Sequence, residues 1–154
     1  MWGMEIQASN GRCGILGVGS GIVDHVKMVD RYPAQDTLAR IFSSHDGSGG
    51  SPYNILIDLA KMGAGMPLQA AGLVGDDADG RTILADCEAH GVDTGLLKTT
   101  REATTSFTDV MTVRGSGRRT FFHCRGANAL LDESHVDLEA SGEAFPPRVF
   151  VAAG

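Results

Sequence analysis

Short apolar runs alternate with glycine-rich and polar stretches along this chain. Runs of small apolar residues at 13–19 and 68–74 are typical of strands buried on both faces of a sheet. A further run, at 149–153, has the same character. We therefore predict three central strands.

The stretch 49–63 changes from glycine to a helical period. Ser51 is a suitable N-cap, and Pro52 then falls at the first helical position, where its missing N–H costs nothing. Gly63 supplies a stop signal at the other end. The predicted core face of this helix consists of apolar residues at helical spacing: Ile55, Leu56, Leu59 and Met62.

A second helix is predicted from the turn at 75–80 to about His90. Ile83, Leu84 and Cys87 form its apolar stripe, and Gly91 follows at the position that favours a left-handed backbone. Strands and helices thus alternate, which argues for an α/β fold with a parallel sheet covered by helices.

More polar segments flank this alternating core. Residues 22–29 and 37–45 are extended but weakly alternating, and 106–113 turns through glycines into 118–124 as a hairpin. These segments do not resemble central strands. We expect them to form a small added sheet at one edge.

Composition narrows the class of protein. The chain has 154 residues, a length that suits one domain, and a formal net charge of −6 without basic clusters, so nucleic acid is not an expected partner. No apolar run approaches the length of a membrane helix. Three widely spaced cysteines favour reduced thiols and a cytoplasmic location. Residues 1–12 are interpreted as a leader.

A candidate site lies at the start of the first predicted helix. Gly49 and Gly50 allow a close backbone approach, and Asn54 falls in the first helical turn. Free N–H groups, the positive end of the helix dipole and an amide suit an uncharged polyol or an anion. The alternative is a glycine loop that only starts a helix.

Two other patterns are weaker. The carboxylates of Asp76, Asp77 and Asp79 could suggest a metal site, but helix capping explains them more simply, and we predict no metal ligands. The glycines at 17–21 could suggest a dinucleotide site, which would require a helix directly after Gly21. The β-branched residues at 22–29 argue against that helix.

Several motifs occur together in one order. They are Val18-Gly19-Ser20 with Asp24, Gly49-Gly50 with Asn54, Gly72-Leu73-Val74-Gly75-Asp76-Asp77, Gly91-Val92-Asp93-Thr94, Thr104-Thr105 and Gly126-Ala127-Asn128. Their order and spacing resemble the N-terminal half of the ribokinase family, also called the PfkB family of carbohydrate kinases.

The resemblance implies a three-layer α/β/α Rossmann-like fold with a small β lid, formed here by about 22–47 and 106–124. It also implies phosphoryl transfer from ATP, with Mg²⁺, to a hydroxyl of a sugar, sugar acid or nucleoside, and a possible homodimer through the lid. The sugar-binding residues that the resemblance implies are Asp24, Gly49, Gly50, Asn54 and Asn128.

The sequence also departs from the family pattern. Ile22 and Ser51 stand where many ribokinase-like sequences have asparagine and lysine, which makes ribose a doubtful substrate. The Gly-Ala-Gly-Asp-like motif of the family's catalytic base does not occur. We therefore interpret 13–154 as a truncated N-terminal portion and expect the base beyond Gly154. A non-catalytic sugar-binding or dimerisation module is the alternative, and a dinucleotide-binding fragment is less favoured.

Overall fold

The computed structural model describes residues 12–137, 139 and 146–153, so that all of the predicted leader except Arg12 lies outside the described residues. Within these ranges the chain forms eight strands and two α-helices. The strands are β1 (Ile15–Gly19), β2 (Ile22–Val29), β3 (Ile41–Gly49), β4 (Leu68–Gly75), β5 (Asp93–Thr100), β6 (Phe107–Val113), β7 (Arg119–Cys124) and β8 (Val149–Ala153), and the helices are α1 (Ser51–Lys61) and α2 (Ala78–Ala89).

Four strands form a parallel sheet in the order β5-β4-β1-β8. Every residue of β4 is buried, as expected for a strand of small apolar residues covered on both faces. The predicted α/β fold with a central parallel sheet is therefore confirmed.

Both helices pack on the same face of the parallel sheet. Leu56 of α1 and Ile83 of α2 join Ala70 and Val74 of β4 in the larger hydrophobic cluster. Two of the three predicted layers are thus present within the described ranges. The opposite face of the sheet carries a smaller cluster, built on Leu16, Ala71 and Leu96.

The start and the core face of α1 differ from the prediction. Gly50, not Ser51, is the N-cap, because its φ of 90° allows the turn out of β3. Ile55 and Met62 are 37% and 79% exposed, so that half of the predicted core face was wrong. A neighbouring helical stripe faces the sheet instead: Tyr53, Leu56, Ile57 and Ala60.

The remaining four strands form a second sheet, in the order β3-β2-β6-β7. Strand β2 pairs antiparallel with β3 and parallel with β6, while β6 and β7 form the predicted hairpin. Strand β2 begins at Ile22, where a dinucleotide site would require a helix, so the predicted extended segment is confirmed and the less favoured dinucleotide alternative is excluded.

The second sheet begins where a strand of the parallel sheet ends. Strand β1 ends at Gly19, and the chain enters β2 only three residues later, at Ile22. The second sheet therefore lies at the carboxyl edge of the parallel sheet. Among the described residues no helix has both the length and the apolar character that crossing a membrane requires.

Candidate functional site

A cavity of about 390 Å³ opens between the carboxyl edge of the parallel sheet and the second sheet. This volume lies within the range that is usual for small-molecule sites, and the carboxyl edge is where open α/β sheets bind ligands. The cavity is lined by residues from the ends of β1 and β8, the start of α1, and the second sheet with the turn after it: Ser20, Ile22, Gly50, Ser51, Asn54, His123, Arg125, Asn128 and Ala153.

Two asparagine side chains in this cavity have unsatisfied oxygens. The Oδ1 atoms of Asn54 and Asn128 are buried and accept no hydrogen bond within the part of the chain that the structure describes. A buried polar atom without a partner costs about 1–3 kcal/mol. Such atoms are therefore expected where a ligand supplies the missing donor. Acceptor oxygens with adjacent N–H₂ groups suit hydroxyl groups, which both donate and accept.

The backbone at the start of α1 completes this side of the cavity. A side chain on Gly50 would collide with the carbonyl oxygen of Ser20, which explains the need for glycine there. No side chain caps the start of this helix. Because Gly50, Ser51 and Asn54 line the cavity, the positive end of the helix dipole lies at its wall.

Asp24 lies on β2 next to this cavity and is not one of its lining residues. A Cβ atom on Gly49 would lie 2.9 Å from its Oδ1 atom, so glycine in β3 makes room for the carboxylate. The sheet register places Asp24 on the same face as Ile22, two residues away, and Ile22 does line the cavity. Of the five predicted binding residues, Gly50, Asn54 and Asn128 are brought together, while Asp24 and Gly49 contact each other beside them.

Sequence reasoning did not single out two residues that line this cavity. His123 Nδ1 lies 3.0 Å from Thr108 Oγ1, and the register places Thr108 beside Asp24. Arg125 lines the same cavity at the end of β7, where its carbonyl oxygen accepts a hydrogen bond from Ser106. Because β7 pairs with β6, and β6 with β2, the alternation of β6 and β7 could have placed His123 on the face of Asp24.

The aspartates after β4 serve the structure of α2. Asp77 is its N-cap and accepts hydrogen bonds from Gly80 N at 2.8 Å and from the Thr105 hydroxyl at 2.6 Å. Burial by itself would raise the pKa of Asp77, but these bonds outweigh burial and lower its pKa. Asp76 pairs with Arg101 at 2.9 Å. Nowhere in the described ranges do three or more His, Cys, Asp or Glu side chains form a possible metal site.

His25, on β2, contacts two aspartates from other elements. Its Nδ1 atom lies 2.8 Å from Asp46 Oδ1, and its Nε2 atom lies 3.1 Å from Asp79 Oδ2. The hydrogen bond with Asp46 raises the pKa of His25, burial opposes this, and the charge of Asp79 adds to the increase. These partners lie 21 and 54 residues away along the chain, so no local pattern indicates them.

Comparison with known proteins relates this chain to a family. The sequence profile described as "pfkB family carbohydrate kinase" matches residues 15–154. Fructokinase-1 of Oryza sativa subsp. japonica is 31% identical over 124 residues, which are 80% of this chain and 36% of that protein. The chain thus spans well under half of the length of this relative.

Solved structures give the same fold. Fructokinase from Xylella fastidiosa has a TM-score of 0.66 at 24% identity, covering 83% of this chain and 39% of that one. The nucleoside kinase of Methanocaldococcus jannaschii has a TM-score of 0.71 at 20% identity, covering 92% of this chain and 44% of that one. At these identities the similarity establishes the fold alone.

Proposed function

The chain belongs to the pfkB family of carbohydrate kinases, and from this premise we propose that it forms the sugar-binding and lid portion of an ATP-dependent kinase. Its substrate in this proposal is a sugar, a sugar acid or a nucleoside, bound through its hydroxyl groups in the cavity at the start of α1. The observation that carries the proposal is the pair of buried, unsatisfied oxygens on Asn54 and Asn128.

The chemistry of the cavity supports a polyol. Two amides and the free N–H groups of α1 offer both donors and acceptors, which adjacent hydroxyl groups can satisfy together. Asp24 can accept from two hydroxyl groups of a substrate that extends beneath the second sheet. In this proposal the second sheet, segments 22–47 and 106–124, acts as the lid over the bound sugar.

The phosphate side of the reaction is not assigned to residues of this chain. Asp76, Asp77 and Asp79 are the obvious acidic cluster for Mg²⁺, but each is engaged with Arg101, with Thr105 or with His25. These residues therefore do not fit the metal, and we derive no step through ATP or Mg²⁺ from them. ATP and Mg²⁺ are proposed here from the family alone, and the catalytic base is proposed to lie outside these 154 residues.

Calorimetric titration of the chain with D-fructose, D-ribose and D-gluconate tests sugar binding. We expect at least one of these ligands to bind. Replacement Asn54→Ala should weaken that binding on the order of five- to tenfold, because a hydrogen bond of about 1 kcal/mol is lost. Asp58→Ala is a matched control, since Asp58 is exposed one turn further along α1.

Three results would contradict the proposal. If none of these ligands binds, the cavity is not a sugar site. The same follows if Asn54→Ala binds the ligand as tightly as Asp58→Ala and the unchanged chain do. Robust ATP turnover by these 154 residues would contradict the placement of the catalytic base.

We also propose that the second sheet contributes a homodimer contact. Phe121 and Phe122 are 56% and 49% exposed on the edge strand β7, and exposed aromatic side chains at a sheet edge favour contact with a second copy. Analytical ultracentrifugation of the chain and of a Phe121→Ser, Phe122→Ser variant tests this contact. A sedimentation coefficient that is the same for both proteins would contradict it.

A further inference from the structure

His25 connects three elements through its two ring nitrogens. Nδ1 contacts Asp46 of β3, which is its register partner in the second sheet, and Nε2 contacts Asp79 in the first turn of α2. The side chain of His25 is 25% exposed, that of Asp79 27% and that of Asp46 64%. The imidazole therefore lies at the junction between the second sheet and the helix layer of the parallel sheet.

The groups around this ring are mainly acidic. Asp109 of β6 is the other register partner of His25, and Lys27, two residues along β2, forms an ion pair with it. Phe107 of β6 packs beside the ring, with centroids 5.6 Å apart. The positive end of the α2 dipole disfavours a cation here, but the carboxylates of Asp46 and Asp79 oppose that effect directly.

The proton count of imidazole decides which contacts can coexist. A neutral ring has one N–H donor and one lone pair, whereas the imidazolium has two donors. A carboxylate accepts hydrogen bonds and cannot donate one. Both contacts of His25 are therefore satisfied only by the imidazolium, and loss of its proton leaves one carboxylate facing a lone pair.

The contact with Asp79 is the weaker of the two. It is the longer, at 3.1 Å against 2.8 Å, and it joins separate elements, whereas the ladder between β2 and β3 holds Asp46 in place. The neutral ring is therefore expected to keep its remaining proton on Nδ1, toward Asp46.

We propose that His25 is a pH-sensitive latch, which holds β2 and β3 against the first turn of α2 while it is protonated and releases Asp79 when it loses that proton. This latch goes beyond the proposed sugar site and does not depend on it. Its consequence for that site is geometric, because Asp24 directly precedes His25 in β2 and projects from the opposite face.

The direction of the effect follows from the pKa. Since Asp46 and Asp79 raise the pKa of His25 in the folded chain, the contribution of the latch is complete below the ordinary pKa of about 6.5. It is lost as the pH rises through the higher, folded-state pKa. The latch is thus closed in mildly acidic solution and opens on the alkaline side.

Nuclear magnetic resonance of the full chain tests this proposal. Long-range ¹H–¹⁵N spectra of the imidazole rings report the protonation and tautomer of His25 from pH 5 to pH 9. Residual dipolar couplings report the orientation of β2 and β3 relative to α2 across the same range. We expect a titration midpoint above 6.5, a neutral form with its proton on Nδ1, and an orientation that changes with the same midpoint.

Two variants separate the latch from general effects of pH. Asp79→Asn should abolish the pH-dependent change in orientation while His25 still titrates. Asp132→Asn is the matched control, because Asp132 pairs with His135 at 2.8 Å within a single turn and joins no separate elements. That variant should respond as the unchanged chain does.

Results of three kinds would overturn the latch. They are a midpoint for His25 at or below 6.5, a neutral form protonated on Nε2, and an orientation that is constant across the midpoint. All three are read from the unchanged chain, so a variant that fails to fold does not remove the test.

Discussion

Strands β4 and β3 illustrate two different ways of building a sheet. All eight residues of β4 are buried, whereas in β3 all residues except Gly49 are exposed. Strand β4 lies inside the parallel sheet, between β1 and β5, and β3 is the edge of the second sheet. The first strand is held by packing on both faces, and the second is held by its ladder with β2.

The two sheets should therefore differ in how strongly their stability depends on pH and salt. Burial of apolar surface contributes about 25 cal/mol per Å², does not involve a titrating group and is not weakened by the screening of charges. Polar pairs such as His25 with Asp46 and Lys27 with Asp109 hold the second sheet and respond to both. We therefore expect the parallel sheet to determine whether the chain folds, and the second sheet to respond to conditions.

The largest expected effect is in the packed part. Leu56 is 1% exposed and packs against Gly17 of β1. Leu56→Ala should therefore lower the free energy of unfolding by about 2–5 kcal/mol. Leu38→Ala is the control, because Leu38 is 87% exposed near the start of β3 and should change it by less than about 0.5 kcal/mol. Urea denaturation measures both, and equal effects would contradict the comparison.

The next effect concerns the junction at Asp77. Asp77→Ala removes the cap of α2 and the bond to Thr105, just before β6, and should cost about 0.5–2 kcal/mol or more. Since the folded pKa of Asp77 is lowered, this contribution exists above its ordinary pKa of 3.8 and is lost as the pH falls through the folded value. Denaturation at pH 7 and pH 3 checks the effect, with Asp76→Ala as control; a difference that persists unchanged at pH 3 would contradict it.

A smaller effect is expected at the one buried position of β3. Gly49→Ala places a Cβ atom 2.9 Å from Asp24 Oδ1. Because the Asp24 side chain can move, the variant should still fold, with the Asp24 carboxylate displaced. We expect Kd for the bound sugar to rise about tenfold, equivalent to about 1.4 kcal/mol. Gly47→Ala is a matched control, since its Cβ atom would lie 4.0 Å from the nearest atom. Calorimetry that finds the two variants alike would argue against Asp24 as a ligand.

The smallest effect is in the ion pair of Lys27 with Asp109. A double-mutant cycle with Lys27→Met and Asp109→Asn should give a coupling of about 0.2–1 kcal/mol that declines with added salt. The more exposed pair of Arg101 with Asp76, at 89% and 43% exposure, should give less. A Lys27 coupling unaffected by 1 M salt would show that the second sheet does not depend on screened charges.

Local patterns in the sequence predicted much of this fold. Continuous apolar runs indicated β1, β4 and β8, and the capping turn at Asp77 indicated α2, since these signals depend on neighbouring residues. Half of the predicted core face of α1 was wrong, because Ile55 and Tyr53 are both consistent with helical spacing. Only the position of the sheet decides which of them is buried.

The sequence by itself determined β1, β4 and β8, both helices, the hairpin and the exclusion of a dinucleotide helix after Gly21, but neither β5 nor the capping role of Gly50. The tertiary structure decided that Asn54 and Asn128 share one cavity and that His25 lies between Asp46 and Asp79. The physical reason is that backbone preferences and apolar periods act over a few residues, whereas a site is formed by side chains from distant segments. Only the packing of the second sheet against α2 and the parallel sheet brings those segments together.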